Sequence, residues 1–178
     1  MNAKKILLKY YKDYSEALKI LLPHSVAVQH KAIEIAENCK IPDLDIHFIK
    51  ESALIHDIGV FRTYAPPIGC HGTEHYLRHG IIGREILESE GYPRHAMVCE
   101  RHIGVGLTRK EILKSHLPLP ARDMVPLSHE EKIICIADLF FNKSEPDKQR
   151  SLDTVRQKLK KYGKTQQFEE WIIEFNLS

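Results

Sequence analysis

The chain reads as all-α, a bundle of about eight or nine helices. Three observations carry that expectation. Apolar residues recur at three- and four-residue spacing along nearly the whole length, strand-like alternation is scarce, and helix caps stand before several of the apolar stripes. The 178 residues are 43% hydrophobic and 28% charged. That length and composition fit one domain over 1–178, with a core that needs no disulfide or structural zinc.

The elements follow in order. A first helix within 1–22 carries Ile6, Leu7, Tyr10, Ala17, Leu18 and Leu21 on its stripe, ahead of Pro23. A second, over 24–39, places Val28, Ala32, Ile35 and Ala36 on one face. Asp45 caps a third through 46–57, with Gly59 as its stop. Pro66, Pro67 and Gly69 mark a loop. Thr73 opens a helix to Glu90, and Pro93 starts a short one to about Ile103, stopped by Gly104 and Gly106. Thr108 begins another short piece, before a proline-rich loop over 116–128. Ser128 and Glu131 make a capping box for a helix through about Phe141. The extension over 143–178 gives two amphipathic segments, one on Leu152, Val155 and Leu159, the other on Phe168, Trp171, Ile172 and Phe175.

Bulk properties exclude several classes. A net charge of +2 advertises neither nucleic acid nor an acidic membrane. The densest basic stretch, "KLKKYGK" at 158–164, reads as a solvated helix face. Cys39, Cys70, Cys99 and Cys135 are far apart and form no metal-binding or redox pair. The apolar "ILL" at 6–8 is too short for a signal peptide, and no stretch approaches a membrane span. A soluble, reduced, cytoplasmic protein is expected.

The 11 histidines are the unusual number. Chance alone gives roughly half of one His-Asp pair, so His56–Asp57 in "ESALIHDIGVF" carries little by itself. Its companions carry more. His24 heads the Val28 stripe, His79 shares a face with Gly83 and Leu87, His102 follows Val98 by one turn, and Asp138 interrupts the apolar "IICIADLFF". Six polar groups on five helical segments thus fall at interior positions or their edges. Buried separately, each needs a private partner. A shared metal centre satisfies them together, and four imidazoles with two carboxylates are too many for one tetrahedral zinc. They suit two divalent ions, with Asp57, at a relaxed helix end, reaching both. The nitrogen and oxygen donors suit Fe, Mn, Co, Ni or Zn better than Mg.

With "HDIG" spelled out, this order resembles the HD superfamily of metal-dependent phosphohydrolases. "LLPHSVAV", "RHGIIGREIL" and "EEKIICIAD" resemble its first-histidine, glycine-bearing and final-aspartate segments. The resemblance covers about 20–142. His79 and His102 match its dinuclear branch. It implies a helical fold, metal ligation by His24, His56, Asp57, His79, His102 and Asp138, and hydrolysis of a phosphate ester or anhydride by a hydroxide formed at the ion pair. Asp57, His79 and His102 would lie at the reacting centre. The expected partner is a small phosphorylated molecule, a nucleotide by default. Arg62, Arg101 and Lys132 are cation candidates for its phosphate. His75, four residues before His79, is a candidate ligand or substrate contact. Two other readings fit the same ligand set: a di-iron oxygenase of the inositol-oxygenase type, and a non-catalytic, metal-stabilised regulatory module.

Overall fold

The computed structural model describes residues 1–11 and 16–177. Among these the protein is all-α, with nine α-helices, three short 3-10 turns and one two-stranded hairpin. The helices are α1 (Ala3–Tyr10), α2 (Glu16–Asn38), α3 (Ile46–Ile55), α4 (His79–Ser89), α5 (Pro93–Arg101), α6 (Arg109–Lys114), α7 (His129–Leu139), α8 (Leu152–Lys160) and α9 (Thr165–Glu174). No described helix is long and apolar enough to cross a membrane.

The sequence breaks in the first two helices fall differently from expectation. The first helix ends at Tyr10, and 12–15 lie outside the described residues. Pro23 does not separate helices; α2 runs through it. Proline removes one helical N–H and crowds the carbonyl four residues earlier, so the interior of a helix is a costly place for it. Burial on both sides offsets that cost. Leu18 and Leu21 pack into one apolar cluster and Val28, Ala32 and Ile35 into another.

Those two clusters explain where the site lies. One joins α2, α3 and α5 to α7, α8 and α9, through Phe48, Val98, Ile133, Val155 and Phe168. The other joins α1, α2, α3, α4 and α5, through Leu7, Leu21, Ile55, Leu87 and Cys99. His24 falls on α2 between Leu21 and Val28, at the seam between the clusters.

Asp45 caps α3, its side chain accepting from the Phe48 N–H at 2.9 Å. The helix ends at Ile55, earlier than expected, and a 3-10 turn over Ile58–Arg62 follows. Gly59 is not a helix stop. A Cβ there would lie 2.2 Å from the His79 carbonyl oxygen and 2.5 Å from the Gly83 nitrogen. It is a contact point between two backbones, and a hydrogen in place of a methyl lets α4 press against the His-Asp turn. The buried Tyr11 hydroxyl pins that turn, donating to the Ile58 carbonyl at 3.2 Å and accepting from the Phe61 N–H at 3.1 Å.

The loop at 66–69 lies inside a hairpin, where β1 (Tyr64–Ala65) pairs antiparallel with β2 (Cys70–His71). Thr73 caps nothing. The helix to Ser89 begins at His79, after a 3-10 turn over Tyr76–Arg78 capped by His75. Thr108 and Glu111 form a complete capping box on α6. At α7 the box is half formed: Ser128 accepts from the Glu131 N–H, while Glu131 accepts from Leu127 instead.

Candidate metal centre

Five elements deliver the six side chains. His24 comes from the middle of α2, His56 and Asp57 from the end of α3, His79 from the first residue of α4, His102 from the end of α5, and Asp138 from the last turn of α7. Five of the six are buried, and Asp138 keeps 19% side-chain exposure, opening toward solvent.

The donor atoms fall into two sets that share one carboxylate. His24 Nε2 lies 3.0 Å from Asp138 Oδ1 and 3.4 Å from Asp57 Oδ2, and His56 Nε2 lies 3.1 Å from Asp57 Oδ2. On the other side, His79 Nε2 and His102 Nε2 each lie 3.4 Å from Asp57 Oδ1. Asp57 therefore turns one oxygen to each set. Donors bound to one ion at 2.0–2.2 Å sit roughly 3.0–3.4 Å from each other, which is the spacing seen here.

The second atoms of the imidazoles fix their orientation. Nδ1 of His56 is 2.7 Å from the Ala53 carbonyl, Nδ1 of His79 is 2.7 Å from that of Tyr76, and Nδ1 of His102 is 2.8 Å from that of Cys99. A carbonyl only accepts, so each Nδ1 carries a proton, and each ring in its neutral form presents the Nε2 lone pair to the centre. His79 Nε2 and His102 Nε2 then face each other at 3.1 Å. Two lone pairs at that distance repel unless a cation lies between them. On the other side, His24 Nε2, His56 Nε2 and Asp57 Oδ2 are buried without a hydrogen bond of acceptable angle, as is Asp57 Oδ1 on the first side. The donor set fits a divalent metal.

The neighbouring charges decide how firmly each ring holds a second proton, which a bound ion must displace from His56. Burial alone disfavours a charged His56, but the carboxylates of Asp57 and Asp138 outweigh it and push the ring up to about 10. His79 goes the other way, to about 3, because burial dominates and Asp57 only partly offsets it. Burial works to raise both aspartates, yet Lys143 and the neighbouring imidazoles hold them well below the usual carboxylate range.

Lys143 is a site residue that the sequence pattern did not mark. Its Nζ is 2.6 Å from Asp57 Oδ2 and 5.9 Å from the centre of the Tyr76 ring. It lies in the irregular segment after α7, where no periodicity flags a side chain as inward. Its only signal is its position, five residues past Asp138. Arg150 and Lys158 also reach the cavity of about 420 Å³ above the centre. Arg150 donates to the Leu139 and Phe141 carbonyls and so fixes the segment that carries Lys143.

The four substrate candidates lie elsewhere, and none lines that cavity. Arg62, the last residue of the 3-10 turn, is exposed. Arg101 pairs with Glu131 at 3.0 Å, and Lys132 with Glu174 at 2.9 Å. His75 is exposed and accepts from the Leu77 N–H. It precedes the helix, so the four-residue spacing to His79 does not put the two on one face. His95 is half-buried between Phe48 and Glu51.

The family model for the HD domain matches residues 21–143. The chain belongs to the HD domain family. The six clustered His and Asp residues all fall inside that span. As a metal-dependent, hydrolase-like domain it is 35% identical over 161 residues to an uncharacterized protein of Methanocaldococcus jannaschii, covering 84% of this chain and 85% of that one. It is also 34% identical to tRNA (cytidine(56)-2'-O)-methyltransferases of Thermoplasma volcanium and Picrophilus torridus, over 78% and 74% of this chain. The HD domain chain covers 37% of the length of each of those two. No solved structure matches.

Proposed function

We propose that the protein is a phosphohydrolase that cleaves a small phosphate ester or anhydride at a centre of two divalent ions. One ion would be held by His24, His56, Asp138 and Asp57 Oδ2, the other by His79, His102 and Asp57 Oδ1. The observation that carries this reading is the split of the Asp57 carboxylate between two buried donor sets. A pair of ions bound there supplies Lewis acidity at a phosphoryl oxygen and water activated near neutral pH.

The chain's own groups do the rest. Asp57 holds the two halves in register, with its orientation fixed by the turn that Tyr11 pins. The Nδ1–carbonyl bonds keep His56, His79 and His102 from rotating away. Lys143 and Lys158 present positive charge to the cavity, where a phosphate group enters. Lys143 begins paired with Asp57, so an incoming phosphate competes for an ammonium already positioned. Methyl transfer, the activity named for two relatives, belongs to proteins of which this chain covers about a third, and this donor set supports hydrolysis instead.

The test is a panel of phosphomonoesters, phosphodiesters and nucleotides, assayed with Fe, Mn, Co, Ni and Zn supplied in turn. Hydrolysis of at least one compound is expected, and Asp57→Ala should abolish it. No hydrolysis with any ion would overturn the proposal, as would an Asp57→Ala variant with full activity.

A further inference from the structure

The cavity above the metal centre is not isolated. A second cavity of about 680 Å³ adjoins it, and Tyr76, Ile103, Gly104, Asp138 and Lys158 line both. Together they form one cleft with a charged end and a greasy end. The charged end holds the ligand cluster, Lys143 and Lys158. The far end is walled by Leu107, Leu117, Leu139, Leu159 and Tyr162. Its size falls within the range of small-molecule sites.

Two of the charged groups at the far end pair with each other. Lys164 Nζ lies 2.5 Å from Glu111 Oε1, so the two charges neutralise each other and tie the segment after α8 to α6. Both residues of that pair line the second cavity and neither lines the first. The other polar groups lining the far end are Ser115, Lys161 and the Tyr162 hydroxyl, with no side-chain amide and no further carboxylate among them to read the edge of a nucleobase. Much of the wall comes from Lys158, Leu159, Tyr162 and Lys164, which lie beyond the span that matches the family, 21–143.

We propose that the substrate is a phosphate monoester with an apolar alkyl or aryl body, and that α8 and the segment after it select for that body. The proposal rests on the hydrolase reading for its phosphate end. The phosphate meets the ligand cluster, Lys143 and Lys158, and the body lies along the leucine wall. This replaces the nucleotide as the default substrate.

The experiment compares 1-naphthyl phosphate with glycerol phosphate, in the native protein and in Leu117→Lys and Tyr162→Ala. Neither variant touches the metal centre. Turnover is read as kcat/KM, and binding of 1-naphthyl phosphate is read separately by its fluorescence in metal-depleted protein. The native protein should favour the naphthyl ester by about tenfold or more, the scale of discrimination an apolar pocket provides. Leu117→Lys should remove that preference through KM, leave glycerol phosphate unaffected, and weaken naphthyl phosphate binding about tenfold. Equal turnover of the two esters, with both variants silent, would overturn the apolar-body proposal and leave the hydrolase standing. If neither ester is hydrolysed, the binding measurement decides: tight binding lost in Leu117→Lys supports the cleft, and no binding, or binding unchanged by the variants, overturns it.

Discussion

Gly59→Ala is a one-carbon change with a consequence that the structure quantifies. The new Cβ would lie 2.2 Å from the His79 carbonyl oxygen, 2.5 Å from the Gly83 nitrogen and 2.9 Å from the Ile82 Cβ. Two of these are backbone atoms of a packed helix, so no rotamer relieves the clash. The His-Asp turn and α4 must separate by about 1 Å to reach ordinary van der Waals contact. Overpacking of this kind costs about 1–3 kcal/mol, and a collision with backbone belongs at the upper end. For a chain of this size that corresponds to a fall in Tm of roughly 6–12 °C, at about 2–4 °C per kcal/mol. Asp57 sits two residues before Gly59, and His79 opens α4. The same movement therefore shifts His79 Nε2 from Asp57 Oδ1 by far more than the roughly 0.2 Å that metal coordination tolerates. Thermal unfolding and metal analysis of one preparation read both effects. A variant with native Tm and native metal content would refute the claim that this glycine sets the approach of α4 to the centre.

Two further predictions concern charge. Lys143→Met should destabilise the chelated protein by about 3 kcal/mol, because removing one partner of a buried pair strands the other charge. Saturating Mn²⁺ should recover much of that loss, and equal Tm values for both proteins in chelator would contradict it. Glu111 tests the α6 strut. Burial works to raise its carboxyl, but Lys164 and the Thr108 N–H outweigh it and hold it below its ordinary value of 4.5. A depressed folded value means that stability is present above the ordinary value and lost as pH falls through the folded one. Glu111→Gln should therefore be less stable at pH 7, and the gap should shrink below about pH 4. A constant gap across that range, measured by denaturant unfolding, would show that the ion pair contributes nothing.

The helical class and most elements were legible because apolar spacing and caps agree locally, as at Asp45, Pro93 and Thr108. Pro23 misled because its penalty is local, whereas the burial that offsets it comes from two clusters distant in sequence. Gly59 misled for a related reason: a glycine required by a neighbouring helix looks, in sequence, like one that ends its own. The six clustered side chains were legible because each interrupts an apolar stripe. Lys143 interrupts no stripe, and its partner Asp57 is distant in sequence, so pattern reading passed over it. Lys158 was hidden in "KLKKYGK", where Lys158 lines both cavities, Lys161 lines the second, Lys164 pairs with Glu111, and Lys160 is exposed. Arg62, Arg101 and Lys132 were chosen for nearness in sequence to ligands, yet each side chain leaves the centre for solvent or an acidic partner.

Metal stoichiometry of the freshly purified protein and two single variants tests the central claim most directly. The account predicts two divalent ions per chain, one in His79→Ala, and none in Asp57→Ala, since only Asp57 serves both donor sets. Two ions retained in Asp57→Ala, or an unchanged count in His79→Ala, would contradict it.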